Sequence, residues 1–126
     1  MKNGLKKILE DLSGELPGLV VSAVVLIEDG LSVAELSTNP NIEAGPASAY
    51  LASIVKSNLK AIKLLAGEQI TDDILITTDH NYFLIRHIAG KPFFLFVMTR
   101  KDEWLGRARL LMKKCEKTII EILDSK

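Results

Sequence analysis

The stretch from Gly45 to Gly67 constrains this chain most, because it predicts an amphipathic helix whose apolar side is too wide for one contact. Pro46 suits the first helical turn, where its missing N–H costs nothing, and Gly67 suits the left-handed residue that ends a helix. The apolar residues spread over roughly half of the circumference, whereas one core contact needs a stripe of only ~100°. They are Ala47, Tyr50, Leu51, Ile54, Val55, Leu59, Ala61, Ile62, Leu65 and Ala66. We therefore expect this helix to have two partners.

The opposite side of this helix carries Lys56, Lys60 and Lys63, which we expect to face water or a partner protein. Small residues, among them Ala52, separate these lysines from the apolar side. Asn58 falls within the apolar side, where an amide without hydrogen-bond partners costs about 1–3 kcal/mol. Two interpretations stay open. The amide bonds a neighbouring backbone group or lies at the wet margin of the core, or it fixes the register where the helix crosses its copy in a dimer.

Two runs of the chain, near Leu19–Ile27 and Pro92–Met98, are apolar without polar alternation. Such runs predict strands that are covered on both faces, so we expect the two side by side at the centre of a sheet. Asp29-Gly30 follows the first run, and this pair tolerates positive φ at both centres of a tight hairpin. The first strand should therefore fold back antiparallel. Its return, LSVAELS, is more polar and suits an edge.

The remaining elements complete one predicted fold. Three strand-like runs, ILITT, YFLIRHI and PFFLFVMT, follow Gly67 and predict a meander, with ILITT at the second edge. A first helix ends near Gly14, and a last helix runs from about Asp102 to Leu123. The order is helix, two strands, helix, three strands, helix. We predict an α+β fold, an α/β sandwich, with a five-stranded antiparallel sheet, helices on both faces, and a single domain over residues 1–126.

The overall charge of the chain selects no class of partner. Sixteen Lys and Arg residues balance sixteen Asp and Glu residues, so no general field favours nucleic acid or an anionic membrane. The longest apolar runs are far short of the ~20 residues that span a bilayer, so we expect no membrane insertion. A single cysteine suits a reducing compartment, which predicts a cytoplasmic protein.

The sequence shows no pattern typical of catalysis or of metal binding. His80 and His87 fall in a turn and a strand without the spacing of metal ligands. Cys115 has apolar helical neighbours and is expected to be a buried small hydrophobe. The pair Asp72 and Asp73 is expected in a solvated turn. Neither glycine-rich phosphate-binding motif occurs, so we expect no enzyme and no cofactor.

The last predicted helix mixes charges of both signs, which is more typical of a solvated face than of a nucleic-acid stripe. Its basic residues are Arg107, Arg109, Lys113, Lys114 and Lys117, with Glu103, Glu116 and Glu121 among them. Trp104, at the start of this helix, is expected to be a partly buried cap over the sheet.

Several strings, in order and over nearly the whole chain, resemble the Roadblock / dynein light-chain family. Pro17-Gly18, followed by SAVVLIEDGLSVA over residues 22–34, resembles the family's Pro-Gly, apolar strand, Asp-Gly turn and second apolar strand. YFLIR over residues 82–86 resembles its fourth strand, and WLGRAR over residues 104–109 resembles the start of its last helix. The chain departs from the pattern at Ser22, where the family often has glycine, and by an apparent extra residue after Gly18.

The resemblance implies a homodimer, or a heterodimer with a similar subunit, in which the central helices pack together and the third strands pair. The wide apolar side of the Gly45–Gly67 helix and the edge strand from Ile74 agree with this arrangement. The residues expected at the dimer interface are Tyr50, Leu51, Ile54, Asn58, Ile74 and Ile76.

Members of this family act as regulators and scaffolds of small Ras-like GTPases, including activators of GTP hydrolysis in bacterial polarity and motility systems. The resemblance therefore implies a non-catalytic regulator that docks a GTPase on its paired central helices. Lys56, Lys60 and Lys63 would face that GTPase. Two alternatives stay open: a structural scaffold that ignores the nucleotide state, and a sensory module with a small ligand between helix and sheet.

Overall fold

The computed structural model describes residues 2–125, which form a five-stranded antiparallel sheet with helices on both faces. The elements are α1 (Lys2–Glu15), β1 (Leu19–Leu26), β2 (Ser32–Ser37), α2 (Gly45–Ala66), β3 (Ile74–Thr77), β4 (Asn81–His87), β5 (Phe93–Arg100) and α3 (Leu105–Asp124). The order of strands in the sheet is β2-β1-β5-β4-β3. The predicted class, the order of elements and both edge strands are confirmed.

The two apolar strands β1 and β5 are paired at the centre of the sheet, as predicted. Because successive side chains of a strand point to opposite faces, each of these strands contributes to two core layers. On β1, Val24 lies in the layer under α1 and α3, whereas Ala23 and Val25 lie in the layer under α2. The centre of the sheet therefore needs cover on both sides.

Helices α1 and α3 together close one face of the sheet. Their buried apolar residues are Leu5, Ile8, Leu9 and Leu12 of α1, and Ala108, Leu111, Met112 and Ile119 of α3. The last helix begins three residues later than the prediction, at Leu105. Glu103 lies just before α3 and stabilises the turn between α1 and β1, because its carboxylate accepts a hydrogen bond from the backbone N–H of Gly18 at 2.7 Å.

Helix α2 covers the other face only in part, and its buried residues all lie in its first half: Ser48, Leu51, Ala52 and Val55. Ala52, which was predicted to separate the lysines from the apolar side, is fully buried against the sheet. Small residues at this contact let the helix approach closely. The buried Ser48 hydroxyl is satisfied by the Ala44 carbonyl at 2.9 Å and the Ser32 hydroxyl at 2.8 Å. From Lys56 to Ala66 no side chain is buried.

The turn between β1 and β2 differs from the predicted tight hairpin. Of residues 27–31, all of which the structure describes, Gly30 alone has a positive φ, at 73°. Asp29 keeps a negative φ, and its carboxylate accepts the backbone N–H of Leu31 at 3.0 Å. A Cβ on Gly30 would lie 2.4 Å from the Cα of Ala49 in α2. The start of α2 therefore packs directly against the backbone of this turn.

Substituting Gly30 by alanine should destabilise the fold by about 3 kcal/mol or more, because strain from the positive φ adds to a backbone clash with α2. Gly90 is the matched control, since its φ is 72° and its Cβ position is open. Gly90→Ala should cost only about 1–2 kcal/mol. Guanidinium unfolding of both variants measures the difference. Equal losses of stability would show that α2 does not rest on this turn.

Candidate functional site

Helix α2 carries an apolar stripe that its own chain leaves uncovered. At 100° per residue, Tyr50, Ile54, Ala61 and Leu65 project within about 60° of one another. The Tyr50 side chain is 77% exposed and Leu65 is 84% exposed. We call these four residues the exposed stripe. A cluster of large exposed apolar side chains often marks an interaction surface, whereas a single exposed apolar residue needs no such explanation.

Two hydrogen bonds show how α2 is turned on the sheet. On one side, the Asn58 amide donates to the Thr71 hydroxyl at 3.0 Å, just before β3. On the other side, the Lys56 ammonium donates to the backbone carbonyl of Glu28, beside the β1–β2 turn. The exposed stripe projects within about 80° of Asn58, so it lies on the side of α2 nearer β3.

The Asn58 amide donates to a side-chain hydroxyl of its own chain and not to the neighbouring backbone group that was one of the predicted partners. Asn58 is half-buried, at the margin of the core. The bond joins the second half of α2 to the segment that leads into β3. Its role in the register of a dimer stays a prediction.

The sheet beside α2 presents a second apolar surface. Helix α2 packs mainly over β1 and β2, so the same face of β3 and β4 is only half covered. Ile74 pairs with Ile85 and Ile76 pairs with Phe83, which places these side chains on the α2 face. The Phe83 ring stacks on Phe96 with centroids 6.3 Å apart. We call Ile74, Ile76, Phe83 and Met98 the sheet floor.

The residues predicted for a dimer interface therefore divide into two groups. Tyr50 and Ile54 belong to the exposed stripe, and Ile74 and Ile76 belong to the sheet floor beside the open edge of β3. Leu51 is placed differently, because it is only 9% exposed and packs in the core of its own chain. Little of its surface is left for a second copy, so its place in a dimer interface stays a prediction and the surface proposed below is built on the other residues.

The three lysines predicted to bind a partner lie together on the other side of α2. Lys56 is tied to Glu28, and Lys63 lies 3.8 Å from the Glu68 carboxylate. Within residues 2–125, Lys60 forms no salt bridge. An exposed pair such as Lys63 with Glu68 contributes little, so the flank keeps most of its positive charge. We call Lys56, Lys60 and Lys63 the lysine flank.

Two carboxylates that were expected in water are paired instead. Glu116 is buried, with one oxygen 2.7 Å from the Arg86 Nε and the other accepting the Ala89 N–H at 2.7 Å. Asp73 accepts two hydrogen bonds from Arg109, at 2.9 and 3.2 Å. The bonds to Asp73 raise the pKa of the Arg109 guanidinium. One signal was available in the sequence, because Glu116 falls at helical spacing on the apolar face of α3.

The prediction for Trp104 was wrong. Its side chain is 78% exposed, because α3 begins only at the next residue and the extended backbone of Trp104 takes it out of the helix.

In the described part of the chain, the histidines and the acidic side chains are not gathered into one cluster. Across residues 2–125 the structure brings together no group of three or more His, Cys, Asp or Glu side chains that could hold a metal ion. His80 is exposed, and His87 Nε2 lies 3.0 Å from the Lys91 carbonyl. None of the helices in this range is long and apolar enough to cross a membrane. The surfaces around α2 remain the candidate functional site.

The order of elements, the sheet order and the lone helix on one face define the Roadblock/LC7 fold. Among solved structures, Myxococcus xanthus MglB matches with a TM-score of 0.89 at 18% identity, over 99% of this chain and 91% of that chain. The gliding protein MglB from Thermus thermophilus matches with a TM-score of 0.77 at 17% identity, over 98% of this chain and 91% of that chain. A Roadblock/LC7 domain from Streptomyces avermitilis matches with a TM-score of 0.75 at 14% identity, over 94% of this chain and 96% of that chain.

Sequence comparison matches no protein-family model and no curated protein. At identities this low, the structural matches show the fold alone. At that level they confirm the resemblance that the sequence strings predicted.

Cys115 should react slowly with alkylating reagents. Burial, with the nearby carboxylates of Glu15 and Asp11, raises the pKa of its thiol to about 11 from 9.0. Because the thiolate is the nucleophile, the folded chain at pH 8 should react with iodoacetamide about 100-fold more slowly than the chain unfolded in guanidinium. Mass spectrometry follows the reaction. Rapid labelling of the folded chain at pH 7 would mean that this thiol is activated.

Proposed function

We propose that residues 1–126 act as one domain that dimerises and regulates a small Ras-like GTPase without performing catalysis itself. The observation that carries the proposal is the exposed stripe on α2 beside the uncovered sheet floor. The fold shared with the MglB structures supports it, because the family that the sequence resembles includes regulators of such GTPases in bacterial motility systems.

A second copy of the chain would cover both apolar surfaces at once. Full burial of a large apolar side chain stabilises by about 1.5–3 kcal/mol, and a two-fold interface counts every such contact twice. The open edge of β3 also carries backbone groups that the β3 strand of a second copy can pair. We propose Tyr50, Ile54, Ile74 and Ile76 as the centre of this interface, with Asn58 at its margin.

Ile54→Glu should convert the dimer into a monomer, because it would place two carboxylates in the buried interface. Light scattering after gel filtration, at several protein concentrations, measures the mass. Leu31→Glu is the matched control, since Leu31 is also exposed but lies in the β1–β2 turn. Its variant should remain dimeric. A strictly monomeric wild-type chain would remove the basis for this interface.

The lysine flank is the proposed contact with the GTPase. It projects roughly 80° or more away from the exposed stripe, so it would stay accessible when the stripe is buried between two copies. Its positive charge would complement acidic groups near the switch regions of the GTPase, which affects association rate and specificity more than affinity. Faster hydrolysis would come from ordering the GTPase's own catalytic groups.

Lys60→Glu/Lys63→Glu should weaken binding to the GTPase about tenfold or more, because it replaces attraction by repulsion. This variant keeps Lys56, whose bond to Glu28 is structural. The GTPase is first identified by pull-down from source-cell lysate, with a GTP analogue and with GDP. Calorimetry with the purified partner then measures the affinity of each variant.

Lys6→Glu/Lys7→Glu, two exposed lysines of α1 on the opposite face of the sheet, is the control of equal charge change and should bind as the wild type does. Unchanged binding by the Lys60→Glu/Lys63→Glu variant would exclude the lysine flank. Equal binding to the GTP and GDP forms would instead favour the scaffold that ignores nucleotide state.

A further inference from the structure

A groove runs along α3 on the face of the sheet opposite to α2. It consists of two adjoining hollows of about 290 and 300 Å³, which share Arg86, Leu110 and Lys113. We call it the α3 groove. It lies on the face opposite to α2, and one of its hollows reaches Asp72 and Asp73, just before β3.

Arg86, on β4, is fixed in the wall of this groove. Its side chain is largely buried, with Nε bonded to Glu116 at 2.7 Å and Nη1 to the Asp72 carbonyl at 3.0 Å. A guanidinium has five N–H donors in a rigid fork. Among the described residues these two bonds engage Nε and one donor of Nη1, which leaves donors of Nη1 and Nη2 for a ligand. Since the side chain is already held, a carboxylate could bind without ordering it.

The groove is also lined by three acidic residues, Asp72, Asp73 and Glu116. Asp73 is paired with Arg109 and Glu116 with Arg86, so the net positive charge of the groove comes from its lysines. Lys113, Lys114 and Lys117 are exposed, and none of them forms a salt bridge within residues 2–125. Lysines three and four residues apart on a helix repel one another. On α1 the chain neutralises Lys7 with Asp11 one turn later, at 3.0 Å. On α3, Glu121 follows Lys117 at the same spacing, but the two side chains form no salt bridge in the described residues.

Leu110 gives the groove an apolar contact at its centre. Its side chain is 60% exposed, and Gly106, one turn earlier, leaves the helix backbone bare beside it. Inorganic phosphate has no apolar group to cover a leucine, and a flat bilayer does not enter a concave groove. A peptide segment can supply both carboxylates and an apolar side chain. The charge and shape of the groove therefore favour an acidic segment.

We propose that the α3 groove binds an acidic peptide segment of a partner protein, with an apolar residue between carboxylates. One carboxylate accepts hydrogen bonds from Arg86, the lysines at the rim attract the others, and the apolar residue packs on Leu110. Binding of this kind weakens as salt is added, because most of the attraction is between exposed charges.

The test uses the whole chain and a synthetic seven-residue peptide in which one leucine is flanked by three aspartates on each side. Fluorescence anisotropy at low salt measures its affinity, and NMR follows the Leu110 methyl and Arg86 Nε–Hε resonances. Lys113→Gln/Lys117→Gln should bind about tenfold more weakly. Lys6→Gln/Lys7→Gln removes the same charge from α1 and should bind within about twofold of the wild type.

Leu110→Ala, an exposed substitution that leaves the charge unchanged, should also weaken binding, whereas the same peptide with asparagines for aspartates should not bind. The proposal is overturned if the Lys113/Lys117 variant binds like the α1 control, or if the shifted resonances lie away from Arg86 and Leu110. It is also overturned if inorganic phosphate or phosphatidylglycerol vesicles bind this surface and the peptide does not. Thermal unfolding of each variant checks that it is folded.

Discussion

The pairing of β1 with β5 is the interaction on which the rest of the structure depends. Both strands are apolar on both faces, so the sheet they centre is stable only when each face is covered. Helices α1 and α3 share the first face and close it. The second face receives α2 alone, which leaves the half formed by β3 and β4 partly open. The uneven number of helices thus creates the apolar surface on which the proposed dimer depends.

The position of α2 follows from small residues at its contact with the sheet. Gly30 leaves room for the backbone at Ala49, and Ser48 and Ala52 let the first half of the helix lie close to the sheet. These contacts lie at the β1–β2 side, so the helix is held there. Beyond Val55, the last buried residue of the helix, its apolar side chains are only partly covered by their own chain. Close packing at one end therefore decides which side chains are exposed at the other.

The sequence predicted the element order, the central strands and both edges, because these follow from local periodicity and from runs that are apolar on both faces. It did not predict the pairing of Glu116 with Arg86, which lie 30 residues apart and meet only through the packing of α3 on β4. A charged residue suggested water, although its helical position pointed to the core. The burial of Leu51 and Ala52 was missed in the same way, since the rotation of α2 on the sheet is a tertiary property.

The formal net charge of the chain is zero, but positive and negative charges are unevenly distributed over its surface. Carboxylates such as Glu116 and Asp73 are engaged in ion pairs, whereas positive charge is left over on the lysine flank of α2 and along the α3 groove. These two basic surfaces lie on opposite faces of the sheet. If two copies join through α2 and β3, each dimer would carry two α3 grooves, one on each copy. A partner whose two acidic segments are joined by a linker long enough to span both grooves would then bind with an affinity above that of one segment, through effective concentration alone.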